Sequence, residues 1–393
     1  MVASTASLKA LPQNIIRLWD SQVTRVSLKQ IYTVGKSVLA SKDQSTAMLV
    51  PTQFLHEELP VRLSHTVRLL NSPDSLLPHE LAQTPAVQHV TLRYLEDITM
   101  LTNLPRPDTP SKASEFSEIV KRVRERQHEN VLAIGKGLEQ LVKDGRIVPQ
   151  NPEHEERAQS FFDRFYGMAL GVDLLLGEHI ALHHEGRNLV QRLRVGDIAR
   201  SAAEETRRVL HERFGREAPG VEIVCRGGNE CNTMYIPDYL RRVIFEILHP
   251  SLRASMLQPE APPVKVVVVE GEEDVSIKIS DQGGGFPISA AQRIWSYLAN
   301  PAVIPAPHDR PSAAAYPHWP LPTYGHGMPV ARLIARYFGG ELSVVSMEGY
   351  GTDTYFALYR DETYPENLPV PQLSPGANLG EMLQAKKAGI LSS

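Results

Sequence analysis

Two hydrophobic periodicities divide this chain of 393 residues into halves of different character. In the first half, apolar side chains recur every three to four residues, for example over residues 61–70 and 119–134, and this spacing is typical of amphipathic helices. From about residue 220 onward, apolar and polar side chains alternate in short segments such as 221–225 and 275–279, which indicates strands. The chain is therefore expected to form a helical domain followed by a domain built around a sheet.

The fold class that follows is an N-terminal antiparallel α-helical bundle plus a C-terminal α+β domain, an α/β sandwich in which helices cover one sheet. We expect the bundle over residues 21–185 and the sandwich over residues 186–362. Residues 363–393 are rich in Pro, Gly and Ser and are expected to form a flexible tail.

Composition narrows the classes of protein to which the chain can belong. Residues 1–20 contain Lys9 and Arg17, several Ser and Thr, and no acid before Asp20. This is the composition of a mitochondrial targeting segment, although many ordinary N-termini share it. The net charge of -4 gives no electrostatic reason to expect a nucleic-acid partner. No apolar run reaches the roughly 18 residues of a membrane helix, so no membrane span is expected.

Asp281 and the glycines after it are the first of three segments that predict a nucleotide site. Asp281 directly follows a predicted strand, where its carboxylate can accept a hydrogen bond from an exocyclic amine such as that of adenine. Gly283 and Gly285 permit positive φ angles and a close approach of the backbone to a ligand. Taken alone, this segment favours an ordinary β-turn over a nucleotide site.

The second and third segments lie further along the chain. Gly325 and Gly327 precede a predicted helix that begins near Met328, and backbone N–H groups at such a helix start bind phosphate. Residues 349–353 open a predicted strand in which the Thr352 hydroxyl can reach the same base as Asp281. Each segment alone also fits a loop or a hairpin turn, but the three in this order predict one nucleotide pocket.

The three segments resemble the motifs of the Bergerat-type ATP-binding fold, which histidine kinases, gyrase-type ATPases, Hsp90-type chaperones and MutL-type repair proteins share. Their flanks, residues 278–285, 327–340 and 346–353, are similar to segments of the mitochondrial pyruvate dehydrogenase kinase and branched-chain 2-oxo acid dehydrogenase kinase family. Parts of the helical half resemble the same family, namely residues 57–63, 123–128 and 163–166. The resemblance extends over roughly residues 14–362.

This resemblance implies a function as well as a fold. Members of the family use ATP and Mg²⁺ to phosphorylate, and so inhibit, the E1 component of a 2-oxo acid dehydrogenase complex in the mitochondrial matrix. They dock on the lipoyl domain of the E2 core and typically dimerise, so we expect a homodimer or a heterodimer. The sequence of residues 346–353 favours pyruvate dehydrogenase over the branched-chain complex as the substrate.

The resemblance also assigns site residues at the positions of this sequence that match the family motifs. Glu246 is the implied catalytic residue. The residues implied to bind the nucleotide are Glu246, Arg253, Asp281, Gly283, Gly285, Tyr324, Gly325, His326, Gly327, Met328 and Thr352.

The helix before the first glycine segment departs from the family. The family pattern there runs Glu-x-x-Lys-Asn-x-x-Arg, and residues 246–253 keep only its glutamate and its arginine. Glu246 matches the family's general base, which takes the serine proton. Arg253 can pair with phosphate oxygens or with a structural carboxylate. Without the resemblance, an exposed or ion-paired helix charge is the ordinary interpretation of Glu246.

His249 and Pro250 stand where the family has lysine and asparagine. That asparagine holds Mg²⁺, and proline offers no side-chain oxygen to a cation that prefers octahedral oxygen ligands. A proline inside a helix also removes a backbone hydrogen bond and costs about 3 kcal/mol, so we expect a kink beside the phosphates. Arg242 stands where many members have a histidine thought to tune Glu246.

Two functional interpretations follow from these departures, and a third follows from the fold class alone. In the first, water or another carboxylate replaces the missing metal ligand and the chain is a working kinase. In the second, it is a catalytically impaired pseudokinase that binds the complex or a partner kinase without efficient phosphotransfer. A third, a chaperone or repair ATPase of the same fold class, is disfavoured by the family-like helical half.

Overall fold

A computed structural model of the chain describes residues 13–71, 81, 84–149, 151–227, 231–291, 293–298 and 326–369. Among these, residues 13–26, 33–188 and 368–369 form one compact unit, and residues 27–32 and 189–367 form a second. The first unit is helical and the second contains the main sheet, which confirms the predicted fold class. The finer limits, 21–185 and 186–362, stay a prediction.

Long helices with polar caps make up the first half of the chain. Thr84, Thr109 and Asn151 each precede a proline, and each side chain accepts a hydrogen bond from a backbone N–H two or three residues further on, so that three of the helices start at defined points. The described helices are α1 (Gln13–Trp19), α2 (Leu28–Ala40), α3 (Gln44–Ala47), α4 (Leu49–Asn71), α5 (Pro85–Asn103), α6 (Pro110–Lys143) and α7 (Pro152–His184).

Helix α7 is the core helix of the bundle. Its length and apolar composition would suffice to cross a membrane, but 89% of its most apolar window is buried inside the protein. The fully buried rings of Phe161, Phe162, Phe165 and Tyr166 supply much of that packing. An apolar helix at the centre of a bundle is usually buried in this way.

The second unit is a sheet covered on one face by helices. Its elements are β1 (Gln191–Arg194), α8 (Val195–Phe214), β2 (Val221–Arg226), β3 (Asn232–Tyr235), α9 (Pro237–Met256), β4 (Val264–Glu270), β5 (Asp274–Asp281), α10 (Ile288–Ala291), α11 (Gly327–Tyr337), β6 (Glu341–Met347) and β7 (Gly351–Tyr359). Five strands pair in the order β2-β4-β5-β7-β6, with β2 and β4 parallel and the other neighbours antiparallel. Strands β1 and β3 form a separate antiparallel pair.

The two faces of the five-stranded sheet differ in burial. Residues such as Ile277, Ile279 and Phe356 point toward α8, α9 and α11 and are almost wholly buried. The alternate residues point the other way, and several large apolar side chains among them are exposed: Val224, Val269, Val345, Met347, Tyr355 and Tyr359. Alternation therefore builds a core on one face and leaves exposed apolar side chains on the other, together with polar ones such as Lys278 and Asp353.

The chain continues past β7 in a packed conformation. Glu366 is fully buried, and the backbone N–H of Asn367 donates to the carbonyl of Tyr337 at 2.8 Å. Residues 363–367 thus pack on the second unit, although the tail predicted to be flexible begins at residue 363. Residues 370–393 of that predicted tail lie outside the described residues.

Candidate active site

Asp281 and Thr352 face each other at one end of the sheet. They are direct partners in the register of β5 with β7, so the sheet itself brings the two predicted base-binding residues together. Asp281 is 6% exposed, and its Oδ1 accepts the Gly283 N–H at 2.9 Å. Burial raises the pKa of Asp281, whereas hydrogen bonds from Gly283, Ser251 and Thr352 act in the opposite direction.

The first glycine segment is wedged between α9 and the turn that joins β6 to β7. A Cβ at Gly283 would collide with Ala254 on α9, and a Cβ at Gly285, whose φ is +58°, would collide with the carbonyl of Met347. The backbone N–H of Gly349 donates to the carbonyl of Gly284 at 2.8 Å. The glycines are thus required by neighbouring protein backbone, in addition to any close approach of a ligand.

The N-terminus of α11 lies against the carboxylate of Glu246. The buried His326 occupies the N-cap position without a capping hydrogen bond from its side chain, and a Cβ at Gly327 would collide with Glu246 Oε2. Met328 follows within the first turn. The first N–H groups of a helix have no partner within it and attract anions. The structure therefore brings the implied base beside the helix end that is predicted to bind phosphate.

Tyr324 and Gly325, two further residues assigned to the nucleotide, lie outside the described residues.

Glu246 is held by a buried arginine one turn earlier on α9. Arg242 Nη2 lies 2.5 Å from Glu246 Oε1, and the Arg242 side chain is 4% exposed. One carboxylate oxygen therefore faces Arg242 while the other faces Gly327. This arrangement fixes the direction in which Glu246 points, as a general base requires.

Arg253 lies two turns beyond Glu246 on the same helix. Within the described ranges, its guanidinium makes no hydrogen bond and no ion pair with a carboxylate. Of the two roles predicted for Arg253, the structure thus shows no structural carboxylate and leaves the role in phosphate binding as the prediction.

Known proteins resemble both halves of the chain. Residues 25–205 match the family described as mitochondrial branched-chain alpha-ketoacid dehydrogenase kinase, and residues 235–362 match the histidine kinase-, DNA gyrase B-, and HSP90-like ATPase family. The mitochondrial pyruvate dehydrogenase (acetyl-transferring) kinase of Arabidopsis thaliana is 32% identical over 372 residues, which cover 92% of this chain and 97% of the plant kinase. The chain belongs to this family of mitochondrial kinases.

Two further members of the family support the assignment. The mitochondrial pyruvate dehydrogenase (acetyl-transferring) kinase of Schizosaccharomyces pombe is 35% identical over 88% of this chain and 84% of its own length. The human isozyme 3 is 32% identical over 92% of this chain and 89% of its own length. The resemblance predicted from the glycine segments and the helical half is therefore confirmed.

Pro250 does not interrupt the helix that carries the family's active-site pattern. Helix α9 runs from Pro237 to Met256, and Pro250 lies inside it on the exposed side. The neighbours Leu248 and Leu252 are fully buried. Burial of two leucines stabilises this segment by roughly 1.5–3 kcal/mol each, which is enough to offset the cost of the proline.

His249 does not replace the charge of the family's lysine. Burial lowers the pKa of His249 to about 4, and the nearby guanidinium groups of Arg213 and Arg253 act in the same direction. The imidazole is therefore neutral near pH 7. Positive charge at this end of the site comes from arginines instead.

The residues at the family's metal position do not fit Mg²⁺. Pro250 supplies no side-chain oxygen, and the part of the chain that the structure describes contains no cluster of three or more metal-ligating side chains. Mg²⁺ commonly binds through substrate phosphates and only one or two carboxylates. ATP fits better, because the buried acceptor Asp281, the N-terminus of α11 and Arg253 are all present.

The sequence motifs did not identify Gln258, whose side chain also contacts the first glycine segment. Its Nε2 donates to the carbonyl of Gly283 at 3.1 Å and lies 3.3 Å from where a Cβ on Gly284 would be. Gln258 follows the C-terminus of α9 and belongs to no recognisable pattern. Only the fold, which brings the end of α9 beside the glycine segment, identifies it.

Proposed function

We propose that this chain is an ATP-dependent protein kinase that phosphorylates a serine of the E1 component of pyruvate dehydrogenase and so inhibits it, in the mitochondrial matrix. The observation that carries the proposal is the contact between the Glu246 carboxylate and the N-terminus of α11. It brings a proton acceptor to the point where the phosphates of a bound nucleotide would lie. The relatives named above are mitochondrial pyruvate dehydrogenase kinases, which supports the same substrate.

Each group has a distinct role in the proposed reaction. Asp281 and Thr352 bind the adenine, while the first turn of α11 and Arg253 bind the phosphates. The serine oxygen attacks the γ-phosphorus, the bond to the β-phosphate oxygen breaks, and ADP leaves. Glu246 accepts the serine proton, a contribution that is typically worth about 10²- to 10⁴-fold in rate.

In this proposal, Mg²⁺ would bind together with ATP and without a side-chain ligand from position 250. Pro250 has no oxygen to offer to a cation, so any Mg²⁺ bound with ATP would be held by the phosphates and by water. The prediction that results concerns affinity: binding of ATP should depend less on Mg²⁺ than it does in relatives that keep the asparagine.

The partners proposed are the lipoyl domain of the E2 core and a second kinase chain. The exposed face of the five-stranded sheet supports the second of these, because large apolar side chains exposed on a folded protein commonly mark an interaction site. We assign that face to a homodimer or to a heterodimer with a related kinase.

The deciding experiment is transfer of radiolabelled phosphate from ATP to purified E1. The wild-type chain is expected to label E1 on serine, and Glu246→Gln, which keeps the shape of the side chain but removes the base, is the matched control. Labelling no greater than that of the control would overturn the proposed activity.

A pseudokinase remains the second candidate because His249 and Pro250 replace two polar residues of the family pattern. It predicts that the chain co-purifies with the dehydrogenase complex or with an active kinase and yet labels no E1. Labelling that appears only in a His249→Lys, Pro250→Asn double variant would favour this candidate. Robust labelling by the wild-type chain would eliminate it.

A further inference from the structure

The segment that follows β7 is fastened to the far end of the phosphate-binding helix. We call residues 360–367 the strap, and we propose that the strap, through Glu366, positions α11 and thereby the phosphate-binding end of the nucleotide site. Glu366 is a positioning residue in this proposal, remote from the nucleotide itself. The inference rests on the proposed binding of ATP, although it does not require phosphate transfer.

Two hydrogen bonds join the strap to the last residue of α11. The Tyr337 hydroxyl donates to the Glu366 carboxylate, and the Asn367 N–H donates to the Tyr337 carbonyl at 2.8 Å. Tyr337 is 1% exposed and Glu366 is 0% exposed. Both the side chain and the backbone at the C-terminus of α11 are thus held from the strap.

The strap is itself anchored at its beginning and along its length. The Glu362 carbonyl accepts the Lys29 N–H at 2.8 Å, and Pro365 forms a bridge with Ser27. The ring of Tyr364 packs edge-on against Tyr359 at the end of β7, with 5.6 Å between the ring centroids. The strap is therefore a fixed support for α11.

Gly339 forms a tight turn between the end of α11 and the rings that hold the strap. Its φ is +84°, and a Cβ there would lie 2.9 Å from Tyr359 Cδ1 and 3.1 Å from Tyr364 Cδ1. The chain must therefore leave α11 in one direction, close against the two rings. Movement of the strap would be transmitted to the helix at this point.

A helix transmits a displacement along its axis because its backbone is rigid. Helix α11 has 11 residues, so about 16 Å separate Tyr337 from the phosphate-binding end. At that end, Gly327 touches Glu246. A misplacement of about 1 Å at a reacting centre can cost on the order of 100-fold in rate, so small movements at Tyr337 matter.

The chemistry of Glu366 argues against a purely space-filling role. A buried carboxylate is costly unless hydrogen bonds compensate it, and an apolar side chain would fill the same space at lower cost. What a carboxylate adds is a strong, directional acceptor for the Tyr337 hydroxyl. Direction is the property that positioning a helix requires.

The test compares two ligands that share an adenine but differ in phosphates. Calorimetry of the full chain should show that Glu366→Ala and Tyr337→Phe each weaken ADP binding by about 10-fold and change adenosine binding by less than about twofold. Glu366→Gln, whose amide oxygen can still accept the tyrosine hydroxyl, should recover most of the ADP affinity. The double variant Tyr337→Phe, Glu366→Ala should be no worse than the single ones.

The matched control is Thr363→Ala, an exposed strap residue whose hydroxyl donates to the nearby Asp361 carboxylate. It should leave both affinities unchanged. Equal weakening of ADP and adenosine in the Glu366 and Tyr337 variants, or no weakening of either, would overturn the inference. Since E1 is absent from these titrations, failure of the proposed kinase activity would appear separately, in the labelling experiment.

Discussion

At Asp281, burial and hydrogen bonding act on the same carboxylate in opposite directions. Burial raises its pKa, and the N–H groups of Gly283 and Thr352 favour the charged form. The balance leaves a shielded acceptor at the end of β5, where an exocyclic amine of a base can reach it. At this scale, we expect selectivity for adenine to depend on one side chain and on the two backbone groups that hold it.

The first prediction is that Asp281→Asn weakens ATP binding by about 10- to 100-fold, because a hydrogen bond to a charged acceptor is worth about 1.5–3 kcal/mol. Isothermal calorimetry measures the change. Asp353→Asn is the matched control, because Asp353 lies on the neighbouring strand and pairs with Lys278 at 2.8 Å instead of facing the pocket. Equal effects of the two substitutions would contradict the assignment of Asp281.

At the scale of elements, Pro250 lies inside helix α9 without ending it. The helix tolerates the proline, so the loss that we expect at this position is chemical: Pro250 has no side-chain oxygen. Pro250→Asn is therefore expected to make ATP affinity more dependent on Mg²⁺, by roughly 10-fold between metal-free and metal-saturated buffer. Titrations in both buffers give the result.

Pro250→Ala is the control for this prediction, because it also removes the proline but adds no oxygen. It should leave the dependence on Mg²⁺ as it is in the wild type. If alanine and asparagine behave alike, the backbone and not the missing ligand determines metal binding. His249→Lys alone should lower stability, since it would bury a charge beside Arg213 and Arg253.

A second element-scale feature is the contact between α5 and α6 at Asp97. Asp97 is fully buried, and Arg126 Nη1 lies 3.2 Å from its Oδ1. Burial raises the pKa of Asp97 to about 6 even though Arg126, Gln127 and Arg93 favour the charged form, and Glu96 adds to the increase.

The pH dependence that follows has a definite sign. The pKa of Asp97 is higher in the folded protein than the ordinary 3.8, so the folded protein keeps a proton that the unfolded chain loses between about pH 4 and pH 6. Its contribution to stability is present below about pH 4 and is lost as the pH rises through 6. Relative to Asp97→Asn, the wild type should lose roughly 3 kcal/mol of unfolding free energy between pH 4 and pH 7.

Urea unfolding followed by far-ultraviolet circular dichroism at several pH values provides the measurement. Asp144→Asn, at the exposed C-terminus of α6, is the control and should show no such drift relative to the wild type. A constant difference between wild type and Asp97→Asn across this range would contradict the raised pKa.

Local patterns predicted some elements of the site well and others poorly. The pairing of Asp281 with Thr352 was predictable because each residue lies at the end of a strand with clear alternation. Uninterrupted helix through Pro250 was not, because the compensating burial of Leu248 and Leu252 depends on tertiary packing. The strap was missed for the same reason: the Pro, Gly and Ser content of residues 363–393 indicates a flexible tail, and only Tyr337 shows why Glu366 is buried.

For the whole molecule, the exposed sheet face predicts association of two chains. In sedimentation velocity, the wild type is expected at twice the mass of one chain, and the double substitution Val345→Lys, Tyr355→Glu should shift it toward the monomer, because charges on both β6 and β7 would have to be desolvated at the interface. Leu92→Glu on α5, which is also exposed and apolar in the wild type, is the control and should not change the mass. A wild type that sediments as a monomer at micromolar concentration would refute this assignment.

The register of β5 with β7 couples the pairing of Asp281 with Thr352 to formation of the core. A slip of β7 by one residue would bring Asp353 opposite Asp281 in place of Thr352, and two carboxylates would face each other. The same slip would turn Phe356 and Leu358 away from the core and toward solvent. Pairings that would separate Asp281 from Thr352 are thus also less stable, so any chain that completes its core has already brought these two residues together.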